Sequence, residues 1–195
     1  MTGTVSKGTH MDKSLAALTT ATLALSLATG LGVAAPPPAA AAAYCGNAWG
    51  SVSKTRPAYS SGRITDVRTG GHACFDRMVV DLKGKVAGYD VRYVTRVHQQ
   101  GSGREVPLAG GADLQVMVRA PAHTLSHQPS YDPPNWNRAV NVDGHRTFEQ
   151  VAFTGSFEGQ TMIGLGVRAR LPFRVFVLDG PGSGSRLVVD VAHRW

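Results

Sequence analysis

From residue 62 onward, the apolar residues of this chain recur with a period of two almost everywhere. Gly62-Arg-Ile-Thr-Asp-Val-Arg-Thr69 alternates, and Phe75 to Leu82 follows as a denser apolar run. Tyr89, Val91 and Tyr93 fall on one face of the next strand, with Asp90 and Arg92 opposite. The alternation drifts between Val94 and Val97, which predicts a bulge there. Within Ala112 to Arg119, Leu114, Val116 and Val118 share a face. Thr147 to Phe157 and Gln160 to Arg170 flank Glu158-Gly159 as a hairpin, with Phe148 and Glu149 on opposite faces. Phe173 to Leu178 and Arg186 to Val191 flank the turn Asp179-Gly-Pro-Gly-Ser-Gly184 as another. A strand turns successive side chains to opposite faces, so this pattern buries one face of each run. Short strands separated by glycine and proline turns, with no amphipathic helix among them, predict an all-β chain. The expected fold is a two-sheet β-sandwich or flattened barrel of paired hairpins.

Three interruptions carry information. Glu105-Val-Pro-Leu108 reads as a short edge piece, because Pro107 has no N–H to give to a ladder. Pro121 to Asn141 has no periodicity and carries Pro121, Pro129, Pro133 and Pro134, which predicts a long loop of the kind that often carries function. Gly164 and Gly166 alternate inside a strand, which predicts close approach by another strand or by Trp136.

The second strand of the last hairpin has an echo upstream. Arg77-Met-Val-Val-Asp81-Leu82 matches Arg186-Leu-Val-Val-Asp190-Val191 position by position, and a glycine turn and an alternating strand precede each. This internal duplication predicts two similar hairpins, making two similar sheets packed face to face. Arg and Asp four apart lie on one face of a strand. That face is expected to be solvated and paired in charge, with a charged stripe for a ligand as the other reading.

The chain opens with Lys7, His10 and Lys13, an uncharged Ala- and Leu-rich run over Leu15–Val33, then Pro36-Pro37-Pro38 and Ala39 to Ala43. This is the make-up of a secretory signal peptide over residues 1–43, cleaved near 43/44. The apolar run is just long enough to stay as an anchor instead, but its Thr, Ser and Gly content and the alanine exit favour cleavage. Tyr44 precedes Cys45, which does not fit a lipid-attachment site. Residues 44–61 form an expected irregular arm and residues 62–195 the domain. Cys45 and Cys74 are the only cysteines, and in an exported chain they are expected to form one disulfide that ties the arm down. The formal charge of +7 would attract an anionic envelope polymer, a lipid head group or nucleic acid. The arginines are scattered rather than run together, and export argues against nucleic acid.

Gly62-RITDVRTGGHACFDRMVVDL, Ser156-FEGQTMIGLGVRARLPFRVFVLDG and Ser185-RLVVDVAHRW together resemble the AMIN-like domain of secreted actinobacterial proteins, related to the AMIN domain. The resemblance spans essentially the whole expected domain. It implies a small sandwich of two packed sheets, without catalytic activity of its own, that targets cell-envelope proteins to peptidoglycan. Against that pattern this chain is expected to be longer than an AMIN domain and to lack an appended amidase, with the cysteine pair and the proline-rich loop as additions.

Candidate chemistry is sparse. No His-Glu-x-x-His or Cys-x-x-Cys occurs, and His123 and His127 would need Asp132 beside them to hold a metal. Gly155-Ser-Phe-Glu-Gly159 misplaces its serine for a nucleophile elbow and leads into a strand. Glu149 and Glu158 are the nominal carboxylates of a hydrolase reading. The proline-rich loop is the richer candidate: Tyr131 and Trp136 offer flat faces, and Asn135, Asn137, Arg138 and His123 offer hydrogen bonds. Aromatic platforms rimmed by amides suit sugar rings. The expected function is a non-catalytic, secreted, wall-associated module that binds peptidoglycan or another wall polymer, with no metal or cofactor. The alternatives are a small hydrolase of wall glycan and a protein-interaction module.

Overall fold

The computed structural model describes residues 45–46, 48–59, 61–86 and 88–195, so the expected leader over 1–43 lies outside the described residues. Strands β1 (Lys54–Arg56), β4 (Tyr89–Val94), β7 (Ala112–Val118), β9 (Gln160–Val167) and β8 (Phe148–Phe157) make one antiparallel sheet, in that spatial order. Strands β10 (Phe173–Asp179), β11 (Ser185–Ala192), β3 (Phe75–Lys83) and β2 (Arg63–Gly71) make the other. A minimal ribbon pairs β5 (Val97–His98) with β6 (Glu105–Val106). The alternating apolar positions do what their period requires. Leu114, Val116, Val118, Ile163 and Leu165 of the first sheet meet Met78, Val80, Leu187 and Val189 of the second in one buried core. The fold is the two-sheet β-sandwich that the pattern predicts. Among the described residues no helix is long and apolar enough to cross a membrane.

The duplication builds one sheet, not two. β3 and β11 pair with each other at the centre of the four-stranded sheet, and β2 and β10 are its edges. In this register Arg77 faces Asp190 and Arg186 faces Asp81. A repeated Arg-x-Val-Val-Asp strand lying antiparallel to its own copy sets each charge opposite its complement, which selects this pairing over separate sheets.

Nor is the charged face simply solvated. Asp190 is fully buried, with Arg77 Nε 2.6 Å from Oδ1 and Arg174 Nε 2.8 Å from Oδ2. The hydrogen bond to Asp190 raises the Arg77 pKa, against burial, which lowers it. Arg174 lies 4.4 Å from the Trp49 ring, and Arg77 5.2 Å from the Phe75 ring. Trp49 and Phe75 meet edge to face at 5.7 Å, so the arm seals this corner. The arm itself is fastened by the Cys45–Cys74 disulfide. Within it, Lys54–Arg56 adds to β4 as an edge strand where an irregular segment was expected.

The strand from Tyr89 ends at Val94 instead of bulging through to Val97. Val97 leaves the sheet, pairs with Val106 and is fully buried. It buries itself on the outer face of the five-stranded sheet, where a Cβ on Gly164 would stand 3.2 Å from Val97 Cγ1 and 3.1 Å from Leu108 Cδ1. A Cβ on Gly166 would stand 2.1 Å from Ala109 O. The alternate glycines therefore admit a flap, residues 97–111, rather than Trp136.

The two sheets are also tied by polar groups. Asp76 faces the interior from β3 and accepts hydrogen bonds from Thr147 N at 2.5 Å and Phe148 N at 3.1 Å, at the start of β8. His193 Nε2 lies 3.0 Å from its other oxygen. The proline-rich loop closes one open side of the sandwich. Ile64 N donates to Pro121 O and Thr69 Oγ1 to Asn141 O on the β2 edge, while Ala139 N donates to Val151 O on the β8 edge. Both exposed ladders are thereby blunted.

Candidate functional site

Two irregular segments face each other over β8: the flap and the end of the proline-rich loop. Pro133 and Pro134 stiffen the approach, and Asn135 then caps a single 3-10 turn, Trp136–Arg138. The Asn135 Oδ1 accepts from Asn137 N at 3.0 Å and Arg138 N at 3.3 Å. The turn sets the Trp136 indole nearly perpendicular to the Phe153 ring, 4.8 Å between centroids, and its Nε1 donates to Asp132 Oδ1 at 2.9 Å. With both contacts made the ring is still 41% exposed.

Gln150 of β8 holds the two segments in register. Its Nε2 donates to Asn137 O at 2.7 Å, and its Oε1 accepts from Ala109 N of the flap at 2.8 Å. The flap is anchored a second time by Gln100 N donating to Thr154 O at 2.8 Å. Between the segments runs a groove of about 480 Å³. Trp136 and Asn137 form one wall, Gln99, Arg104 and Glu105 the other, and Phe153 and Thr154 the floor. The far wall is braced: Arg104 Nη2 donates to Gln99 Oε1 at 3.0 Å, and Arg96 Nε stands 3.2 Å from Glu105 Oε1. An indole face opposite an amide, a guanidinium and a carboxylate can stack on an apolar ring face while hydrogen-bonding its rim.

The loop residues singled out from the sequence take different places. Trp136 and Asn137 line the groove. Asn135 uses its side chain on the cap. Arg138 lies in an adjoining depression of about 270 Å³ with Asn141, Asp143 and Glu149. Tyr131 turns inward and meets Phe153 edge to face at 5.4 Å, on the side away from solvent. Burial, with a smaller effect from Asp66, pushes its phenol pKa up to about 12. His123 stacks on His127 at 5.5 Å, and its Nδ1 lies 3.0 Å from Thr124 O. Asp132, the carboxylate those histidines would need, is engaged by Trp136. Gln99, Arg104 and Glu105 have no distinguishing pattern of their own in the sequence. The signal that could find them is the pair Gly164 and Gly166, which reserves the surface on which their flap rests.

The hydrolase reading loses its nominal pair. Glu149 and Glu158 are separated by nearly the whole of β8. At about 3.3 Å per residue the two stand roughly 25–30 Å apart, against about 5–10 Å for a working glycosidase pair. Among the described residues no three His, Cys, Asp or Glu side chains gather as a metal site.

No curated protein and no solved structure matches the chain. The profile of the AMIN-like domain matches residues 62–193, which takes in β2 through β11 and both walls of the groove. The chain therefore belongs to the AMIN-like domain family.

Proposed function

We propose that this protein is a non-catalytic, extracytoplasmic cell-envelope module that binds wall glycan, peptidoglycan among the candidates, in the groove between flap and loop. Membership of the AMIN-like family supports a cell-wall-related role, and family members occur in extracytoplasmic proteins. The observation that carries the glycan reading is the exposed Trp136 in a groove whose opposite wall is Gln99, Arg104 and Glu105. Hexose rings have apolar C–H faces and hydroxyl rims, and this pairing of an indole with amide, guanidinium and carboxylate groups meets both. Asn135 and Tyr131 then serve by shaping the turn and backing Phe153, while Arg138 lines the adjoining depression and His123 stacks on His127.

The test is co-sedimentation of the chain with purified wall. Trp136→Ala should cut binding at least tenfold, because a stacked aromatic anchor contributes about 2 kcal/mol or more. The melting temperature should change little beside this, since Trp136 lies outside the buried core. Binding that survives Trp136→Ala intact would remove the groove from the account.

A further inference from the structure

The outer face of the four-stranded sheet has two related ends. Across one row, in the order β10, β11, β3, β2, stand Arg174, Asp190, Arg77 and Gly70. The next outward row is Phe176, Val188, Val79 and Arg68, and the third is Leu178, Arg186, Asp81 and Asp66. The duplication relates Arg77 to Arg186 and Asp190 to Asp81. In the first row Asp190 is clasped from both sides by arginines, under the Trp49 lid. In the third row the equivalent pair does not form. Asp81 instead receives Arg68, with Nε 2.7 Å and Nη2 3.2 Å from its oxygens.

Arg186 is thereby left without a carboxylate among the described residues. The Asp179 side chain nearby is engaged by Lys85 Nζ at 2.5 Å, and an Asp66 oxygen accepts from Val67 N. Arg186 Nη2 donates only to the Asp179 carbonyl at 3.2 Å, and its Nε is buried with no hydrogen-bond partner among the described residues. Nε is one of the two donors of the guanidinium fork that grips a carboxylate, as Arg77 and Arg68 show on this same face. Around it lies a depression of about 250 Å³, with Val79 and Val188 as floor and Leu178 on the rim. Arg68, Arg77, Arg186 and His72 stand on its walls, and no carboxylate side chain lines it.

We propose that this depression is a second binding site, which takes a carboxylate carried on a small apolar group, such as the end of a short apolar peptide, with Arg186 as its anchor. Arg68 and Arg77 are matched by Asp81 and Asp190, so the unmatched charge of Arg186 is what selects an anion. The unpartnered Nε of Arg186, beside an Nη2 that uses one N–H on the Asp179 carbonyl and keeps a second, selects a planar oxyanion, and the floor of valines selects an apolar carrier. The proposal is independent of the glycan groove, which lies on the other sheet. It also gives the two halves of the duplication different uses: one is closed by an internal carboxylate and a tryptophan lid, and the other is open to a ligand.

The experiment is a titration of the full isotope-labelled chain with N-acetyl-alanyl-alanine, observed by NMR at the arginine Nε–H and valine methyl signals. The free acid should shift Arg186, Val79 and Val188 saturably, and the C-terminal amide should not. Arg186→Gln should weaken binding at least tenfold at an unchanged melting temperature, and Arg186→Lys, which keeps the charge but not the fork, should remain well below the native protein. No saturable shift, equal shifts with the amide, or undiminished binding by Arg186→Gln would each overturn the proposal. Inorganic phosphate saturating as readily as the dipeptide would overturn the assignment to an apolar carboxylate.

Discussion

Tyr131 shows how one atom can decide what a residue does. Its ring packs on Phe153 beside the core, yet its hydroxyl is buried with no hydrogen-bond partner among the described residues. An unsatisfied buried hydroxyl is a net cost, so Tyr131→Phe should stabilise the fold at neutral pH by about 1 kcal/mol in urea titration. The same site sets a pH dependence. Burial lifts the phenol from 10.0 to about 12 in the folded chain, so the protonated form is the one the fold favours. That contribution is complete below pH 10 and is lost as pH rises through about 12, because the unfolded chain ionises first. Native protein should therefore lose more stability across this interval than Tyr131→Phe. Tyr93, also raised by burial, titrates in both and cancels. Equal slopes would place the phenol in water. At this scale the sequence was legible as chemistry but not as direction. Tyr131 and Trp136 stand five apart in one proline-rich loop, and nothing local tells which ring faces in. Phe153, from a strand the loop meets only in the folded state, decides it, together with Asp132 on the indole.

The flap is the element that the pattern showed only in part: Glu105-Val-Pro-Leu108 reads as a short edge piece, and Glu105–Val106 is one, but its pairing with Val97–His98 has no signal. The long strands were legible because each buries one face over several alternations, and Leu114, Val116 and Val118 are fully buried as their spacing demands. A ribbon of two-residue strands leaves no period to read, and its one deeply buried side chain, Val97, sits where a continuing β4 would also want an apolar residue. The complementary record is in β9. Gly166 has Ala109 O where a Cβ would go, 2.1 Å away, and β9 cannot yield because β7 and β8 flank it. Gly166→Ala should therefore lift the flap and cost about 1–3 kcal/mol, the range for overpacking. Gly164→Ala meets only the side-chain ends of Leu108 and Val97 and should cost less. Hydrogen exchange gives the sharper test: amides at 99, 100 and 109 should lose protection in Gly166→Ala while those of β7 and β9 keep theirs. Uniform loss across the sheet would mean that the glycine serves the strand itself rather than the flap.

For the molecule as a whole, the sequence echo was sound and its first interpretation was not. Repetition specifies which side chains share a face, but not which strand lies beside which. Register supplies the rest, by setting Arg77 against Asp190. The arm completes that arrangement, and its hold can be measured. The disulfide joins positions 29 apart, so the chain-entropy model assigns it about 3 kcal/mol. Its loss does more than lengthen the unfolded chain. Trp49 is the lid on Arg174, and Gly50 O accepts the Phe173 N–H at the β10 edge, so a released arm admits water to the buried Asp190 carboxylate. A hydrated carboxylate no longer depends on its two arginines, and β10 loses the side-chain tie that adds to its backbone ladder with β11. Reduction, or the double change Cys45→Ser and Cys74→Ser, should therefore lower stability by about 3 kcal/mol or somewhat more. Exchange should quicken first along β10, and Trp49 emission should shift red in a Trp136→Phe, Trp195→Phe background. The flap and the groove, anchored through Gln150 and Thr154 on the other sheet, should keep their protection until global unfolding. If β10 and the flap loosen together, the arm is stabilising the sandwich as one unit, and the separate closure of the Asp190 corner is wrong.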